Sequence, residues 1–120
     1  MLLHIEIDGL PPTVNHMYRM HGRYKYKTSD TREYQAHVTG KMRSEWQNKP
    51  VFKGRASLVI TFYTNNRKRW DIDNRVKALQ DCLNMAGVIG DDTQIDMLLV
   101  SRKHVQDPDH TSLTLSEVTE

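Results

Sequence analysis

The chain contains few of the residues that mark several common protein classes. Among its 120 residues there is one cysteine, Cys82, so it can form neither an intramolecular disulfide nor a cysteine-based zinc cluster. No run approaches the ~20 apolar residues that a membrane-spanning helix needs, and acidic residues interrupt the apolar N-terminal segment, unlike in a secretory signal. The six histidines show no metal-ligand spacing. We therefore expect a soluble, cytosolic protein without a membrane partner.

The length also limits the number of domains. A chain of 120 residues suits one compact domain with a single hydrophobic core and is too short for two ordinary domains. The sequence shows no internal repeat, linker or low-complexity tract. We predict one domain over residues 1–120, with one functional site and no small-molecule cofactor.

Charge is unevenly distributed along the chain, although the formal net charge is only +2. Residues 1–90 hold 15 Lys and Arg against 8 Asp and Glu, whereas residues 91–120 hold 2 against 7. A basic body favours a polyanionic partner, because Lys and Arg that neutralise phosphates release counterions. An ordinary solvated surface with an uneven charge distribution explains the same numbers equally well.

The hydrophobic pattern predicts six main elements. Alternating apolar residues, or runs of β-branched and aromatic residues, indicate strands, and apolar residues at every third or fourth position indicate helices. The strands cover residues 2–8, 57–64, 95–100 and 112–118, and the helices cover residues 30–48 and 74–86. Ser29 or Asp30 would cap the first helix, and Gly87 would close the second. The order β-α-β-α-β-β predicts an α+β fold, a mixed β-sheet with two helices packed on one face, because each helix must bury its apolar stripe.

Two basic segments could hold a nucleic-acid backbone. Residues 13–28 interleave aromatic with basic side chains and predict a loop or an irregular hairpin, and residues 65–70 predict a basic loop. We expect DNA contacts from Arg19, Arg23, Lys25, Lys27, Arg67, Lys68 and Arg69. Asn15, just after a Pro-Pro turn, is also a candidate DNA-binding residue, and its side chain could brace the active-site loop through hydrogen bonds. Tyr18, Tyr24, Tyr26 and Trp70 could stack on exposed bases. For any single lysine, a solvated surface role is the simpler interpretation.

Three acids within the most basic part of the chain are the candidate metal ligands. Asp71 and Asp73 lie two residues apart at a predicted loop-to-helix junction, and Asp92 lies in the turn after that helix. Their oxygens can form a hard-ligand site for Mg²⁺ or Mn²⁺. Such an ion polarises a scissile phosphate and lowers the pKa of water, as phosphodiester hydrolysis requires. Lys77, one helical turn after Asp73, can stabilise the charge that develops on the phosphate.

The same residues also have ordinary structural interpretations. Asp73 is a good helix N-cap, Asp91 and Asp92 form a common turn pair, and Asp73 with Lys77 has the spacing of a helical ion pair. On pattern alone, structural roles are the more common ones. The basic surroundings favour metal ligands beside a phosphate backbone.

These residues carry a resemblance to a known family. The segment 71–77 (DIDNRVK), the later Asp91-Asp92 pair followed by a strand, and the N-terminal segment 10–15 (LPPTVN) resemble the RusA family of Holliday junction resolvases, which are phage and prophage endonucleases. The match covers nearly the whole chain. It implies that Asp71, Asp73 and Asp92 are essential metal-binding acids, that Lys77 is an essential lysine, and that Asp91 has a supporting role at the metal.

The resemblance also implies an activity. It implies a homodimer in a bacterial host cell that uses Mg²⁺ to cut two strands of a four-way DNA junction symmetrically, in recombination and repair. Two symmetric cuts call for two sites related by a two-fold axis. Two alternatives remain open at this point: a catalytically silent protein that binds junctions through the same basic surface, and a metal-dependent nuclease that acts on other branched or single-stranded DNA.

Overall fold

The computed structural model of the chain describes residues 1–68 and 70–119. Over these residues the strands are β1 (Leu3–Asp8), β2 (Tyr18–His21), β3 (Tyr24–Lys27), β4 (Ala56–Thr64), β5 (Ile95–His104) and β6 (His110–Glu117). The helices are α1 (Val14–Met17), α2 (Ser29–Trp46) and α3 (Val76–Met85), with short 3₁₀ helices at Ile72–Arg75 and Asp92–Gln94. No helix in these two ranges is long and apolar enough to cross a lipid bilayer.

Four strands form a mixed sheet in the order β1-β6-β4-β5. β4 pairs antiparallel with β6 and parallel with β5, and β1 pairs antiparallel with β6. β4 is interior because its β-branched and aromatic residues suit a strand with neighbours on both sides. Parallel neighbours need a crossover connection. Here α3 forms the crossover from β4 to β5. In the chain, Asp71 and Asp73 precede this helix and Asp92 follows it.

The core lies on one face of this sheet. Alternate residues of β4, including Leu58, Ile60 and Phe62, are buried, and the register places Leu115 of β6 opposite Leu58 on the same face. The buried stripes of α2 and α3 join the same cluster. Both long helices therefore cover one face of a mixed sheet, and the predicted α+β class is confirmed.

Element boundaries differ from the prediction at several points. Thr28, not Ser29 or Asp30, caps α2, since its hydroxyl accepts from the amide of Thr31. The helix ends at Trp46 because the next residue, Gln47, has a φ of 55°. Residues 13–28 form the short helix α1 and the regular hairpin β2–β3, which turns at Gly22 with a φ of 61°. The hairpin strands are mostly exposed and contain few apolar residues, so the hydrophobic pattern could not predict them as two regular strands.

Candidate active site

The candidate acids and Lys77 are placed by the crossover between β4 and β5. Asp71 comes directly before the 3₁₀ helix Ile72–Arg75, and Asp73 lies within it. Lys77 follows in the first turn of α3. Asp92 begins the 3₁₀ helix that leads into β5. The chain runs out along α3 and returns past it, so residues 15 positions apart in sequence can meet beside this helix.

Lys77 contacts two carboxylates, those of Asp81 and Asp92. Its ammonium lies 2.9 Å from Oδ1 of Asp81 and 3.6 Å from Oδ2 of Asp92. Asn84 donates from Nδ2 to Oδ1 of Asp92 at 2.7 Å. One oxygen of Asp92 is thus oriented by an amide and the other faces a cation. The fold therefore fixes the direction of the Asp92 carboxylate.

The pKa of Lys77 is raised above its ordinary value. The largest cause is the hydrogen bond to Asp81, while the charges of Asp81 and Asp92 and the phenol of Tyr18 act in the same direction and partial burial opposes them. A lysine is already protonated at neutral pH with its ordinary pKa, and the upward shift keeps this ammonium charged further into alkali. Lys77 is suited to stabilise negative charge and not to accept a proton as a general base.

Asp71 and Asp73 are held differently from Asp92. Both are exposed, and neither carboxylate makes a hydrogen bond or an ion pair within residues 1–68 and 70–119. Asp71 lines an open cleft together with Trp70, Asn74 and Arg102. Their oxygens are therefore accessible to a ligand from solvent.

The residues fit a hard divalent cation in an open site and not a closed protein cage. No three Asp, Glu, His or Cys side chains of the described residues converge closely enough to surround a metal ion. Mg²⁺ commonly keeps several waters and binds through one or two carboxylates. The exposed oxygens of Asp71 and Asp73 match that donor chemistry, whereas the two oxygens of Asp92 already face Asn84 and Lys77.

Asp91 has a local structural role. Its side chain accepts from the amide of Thr93 at 2.9 Å, and the side chain of Gln94 returns a bond to the amide of Asp91 at 3.0 Å. This capping box begins the 3₁₀ helix of Asp92. The bonds to Thr93 lower the pKa of Asp91. Asp91 thus orients the turn that presents Asp92.

Trp70 is occupied by protein contacts. The guanidinium carbons of Arg75 and Arg102 each lie 4.8 Å from its ring centroid, and its ring packs edge-on against Phe62 at 5.7 Å. Arg75 also donates to the carbonyl of Pro11, and Arg102 donates to the carbonyl of Trp70. Trp70 therefore ties the loop before Asp71 to the sheet, and these contacts do not favour the base stacking expected of it.

The hairpin β2–β3 carries half of the predicted DNA-binding residues. Arg19, Arg23 and Lys25 are exposed, and the Lys25 ammonium lies 4.4 Å from the ring centroid of Tyr18. Lys27 differs, since its ammonium donates to Oε1 of Gln35 at 2.6 Å between the hairpin and α2. It anchors the hairpin to the helix.

The remaining predicted contacts lie on other segments. Arg67 and Lys68 are exposed in the loop after β4, and Arg67 lines a polar cleft with Asn65 and His104. Arg69 lies outside the described residues. Asn15 is exposed on α1, and its side chain makes no hydrogen bond within the part of the chain that the structure describes.

Sequence reasoning missed Asp81, Asn84 and Arg102. Asp73, Lys77 and Asp81 follow one another at four-residue spacing, which places them on one helical face and is the signal for Asp81. The partnership of Asn84 with Asp92 and of Arg102 with Trp70 depends on tertiary contact between α3, β5 and their flanking loops. No local pattern indicates either one.

A protonated lysine between two carboxylates, on a crossover that also carries the exposed acids Asp71 and Asp73, is a residue set suited to metal-dependent phosphodiester hydrolysis. Comparison with known proteins also indicates a DNA endonuclease. The family described as "Endodeoxyribonuclease RusA" matches residues 8–115. A protein of Aquifex aeolicus (strain VF5) named "Crossover junction endodeoxyribonuclease RusA" is 32% identical over 99 residues, which cover 78% of this chain and 74% of that protein.

The chain belongs to the RusA family of endodeoxyribonucleases. The resemblance drawn from residues 10–15, 71–77 and 91–92 is thereby confirmed. Membership makes the protein a DNA endonuclease and points to a requirement for a divalent metal.

Proposed function

We propose that the protein is a Holliday junction resolvase that makes paired, symmetric nicks in four-way DNA junctions. The observation that carries the proposal is Lys77, held protonated between Asp81 and Asp92 one helical turn after Asp73. This arrangement supplies a fixed positive charge beside carboxylate oxygens, as expected of a site that binds a phosphate and a cation together. Family membership supplies the reaction class.

The proposed metal ligands are Asp71, Asp73 and Asp92, with Mg²⁺ as the cation and Mn²⁺ as a possible replacement. When bound, the cation polarises the scissile phosphate and lowers the pKa of water. Lys77 stabilises the negative charge that grows on the phosphate oxygens as the bond to the leaving oxygen breaks. Asn84 orients Asp92, and Asp81 positions Lys77. Asp91 supports the site indirectly, because it caps the 3₁₀ helix that begins at Asp92.

The DNA is held by two groups of exposed basic residues. Arg19, Arg23 and Lys25 on the hairpin form one group, and Arg67 and Lys68 in the loop after β4 form the other. Contacts of this kind fix the position of a DNA backbone without reading its sequence. Exposed Tyr24 and Tyr26 offer aromatic faces to bases that part at the junction centre.

The active form is proposed to be a homodimer, because one site cuts one strand and two symmetric nicks need two sites. We place the protein in the cytoplasm of a bacterial host, encoded by a phage or prophage, in agreement with the family resemblance. Residues 1–120 are taken as one catalytic domain.

Cleavage of a labelled synthetic four-way junction tests the proposal directly. Wild type and Asp73→Asn are compared with Mg²⁺, with Mn²⁺ and with neither, and a linear duplex and a flap substrate of matched sequence serve as controls. We expect paired symmetric nicks in the junction alone from wild type. Asp73→Asn should bind the junction and leave it uncut.

Other results would replace the proposal. Equal cutting of the flap or linear duplex would indicate a nuclease without junction preference. Tight binding by both proteins with no cleavage under any metal would indicate a silent junction binder. Cleavage by Asp73→Asn at the wild-type rate would show that the metal site lies elsewhere.

A further inference from the structure

Two guanidinium groups stack on Trp70, and they differ in what else surrounds them. The guanidinium carbons of Arg75 and Arg102 each lie 4.8 Å from the centroid of the indole ring. The Nε atom of Arg75 is buried, its Nη1 donates to the carbonyl of Pro11, and burial holds its pKa below the ordinary value. Arg102 is half-buried and lines an open cleft beside Asp71. Of the two cations, Arg102 is therefore the one placed to bind a ligand in this cleft.

The protein uses only part of the hydrogen-bonding capacity of Arg102. A guanidinium carries five N–H bonds. Nη1 donates to the carbonyl of Trp70, and the side chain makes no other hydrogen bond or ion pair within residues 1–68 and 70–119. The stack on the indole and the bond to the carbonyl fix the plane of the guanidinium, so less rotational freedom is lost when a ligand binds its free edge. The contacts with Trp70 thus orient Arg102 and leave donors for a ligand.

The cleft holds two opposite charges that do not pair with each other. Asp71 and Arg102 both line it, yet their side chains form no ion pair in the part of the chain that the structure describes. A phosphate beside the Asp71 carboxylate would be repelled, because both are anions. A cation held by Asp71 would offset that repulsion, and the guanidinium fork matches the geometry of phosphate oxygens. The cleft therefore suits a cation and a phosphate side by side.

The fold brings this cleft to the carboxyl ends of two parallel strands. β4 and β5 run parallel, with Phe62 and Arg102 in register near their ends, and Asp71 lies on the segment that leaves β4. Where parallel strands are joined by a helical crossover, ligands commonly bind in the crevice beyond the carboxyl ends of the strands. The cleft has a volume of about 510 Å³. A water molecule in the liquid takes about 30 Å³, so a phosphate group and several waters fit.

We propose that Arg102 binds a phosphodiester group of the DNA in this cleft, next to the cation proposed at Asp71, and is a further substrate-binding residue of the nuclease. This inference rests on the proposed function and names the ligand of a β5 residue that no local sequence pattern indicates. The phosphate oxygens accept N–H bonds from the free edge of the guanidinium. A contact of this kind holds the DNA backbone in position beside the acids without reading its sequence.

Neutralising single phosphates of the DNA tests this contact. A methylphosphonate replaces one phosphodiester at a time across the centre of a labelled four-way junction, and binding is measured by fluorescence anisotropy with Ca²⁺ in place of Mg²⁺. We expect Arg102→Ala to bind the unmodified junction about tenfold more weakly than wild type, as loss of one charge-assisted contact does. At one phosphate position, neutralisation should weaken binding by wild type about tenfold and binding by Arg102→Ala by about twofold at most.

Two further variants control for charge and for folding. Lys103→Ala removes an equal charge from the adjacent residue of β5, whose side chain points to the opposite face of the strand and lies in register with Tyr63. It should respond to the neutral phosphate as wild type does. Arg102→Gln removes the charge but keeps an N–H donor for the Trp70 carbonyl, so it should behave like Arg102→Ala even if the alanine variant fails to fold. A thermal melt of each variant reports folding.

The outcomes separate a phosphate contact from a purely structural role. If Arg102 only held Trp70 and Asp71 in place, its variants would lose affinity but respond to every neutral phosphate as wild type does, and that result would overturn the proposal. Loss of the response at one phosphate in a protein that does not cut the junction with Mg²⁺ would keep the contact and overturn the nuclease function. A wild type that binds no junction would overturn both.

Discussion

The acids on the two sides of Lys77 are held in contrasting ways. Asp92 is oriented by Asn84 and faces Lys77, and its side chain is 32% exposed. Asp71 and Asp73 are exposed and make no side-chain hydrogen bond or ion pair within the described residues. Groups that the fold already pairs contribute to stability, whereas unpaired acids at a surface contribute little. Stability therefore gives no reason for the pair Asp71 and Asp73, which agrees with their proposed role as metal ligands.

The largest expected effect comes from Asp71→Asn. We expect junction cleavage to fall by about a thousandfold, since a neutral amide removes a charge that would hold the cation. The melting temperature without metal should not change, because the Asp71 carboxylate has no hydrogen-bond or ion-pair partner among the described residues to lose. Cleavage kinetics and a thermal melt with and without Mg²⁺ measure both quantities. A drop in metal-free stability equal to that of Asp92→Asn would erase the contrast between the two sides.

Asp92→Asn should impair both properties. We expect a loss of cleavage of about a hundredfold or more and a loss of about 1 kcal/mol in unfolding free energy, because the bonds to Asn84 and Lys77 weaken. The half-exposed position of the pair keeps the stability loss small. Urea unfolding and junction cleavage are the measurements. Unchanged stability would mean that Asp92 is no more anchored than Asp71.

Asp81→Asn tests whether Lys77 is positioned by its neighbour. The pKa of Lys77 should fall towards its ordinary value, since the largest cause of the rise is the bond to Asp81. A raised lysine pKa stabilises the fold at pH values below the ordinary one, and this contribution disappears as pH rises through the raised value. The stability difference between wild type and Asp81→Asn should thus be constant near neutral pH and shrink in strong alkali.

The activity of this variant should fall modestly, by about tenfold, because the ammonium remains charged at neutral pH but is less firmly placed. NMR titration of the lysine side chain and the pH profile of unfolding separate this positioning role from a general loss of fold. A Lys77 pKa that does not move would assign the shift to Asp92 instead.

The smallest effect is expected from Asp91→Asn, the matched control for Asp92→Asn in the adjacent position. Asparagine also caps helices well, so the capping box with Thr93 and Gln94 should persist. We expect cleavage within about threefold of wild type. A loss as large as that of Asp92→Asn would give Asp91 a direct part in metal binding.

Local patterns in the chain were enough to predict much of the fold. β4 follows from its β-branched and aromatic residues, and the stripes of α2 and α3 follow from their helical period, because these signals are local in the chain. The acids at 71, 73 and 92 and the lysine at 77 were also visible, as a spacing and as a family resemblance. The N-cap of α2, Thr28, could not be predicted from the sequence, since several neighbouring residues can cap equally well.

Which of these residues contact one another depends on how the elements pack. Lys77 reaches Asp92 because the parallel pairing of β4 and β5 forces a crossover that returns the chain along α3. The same packing directs Lys27 to Gln35, covers Trp70 with two guanidinium groups, and leaves apolar β5 at the edge of the sheet. Contacts between residues distant in sequence depend on how elements pack, and packing is not encoded in any single window of the chain.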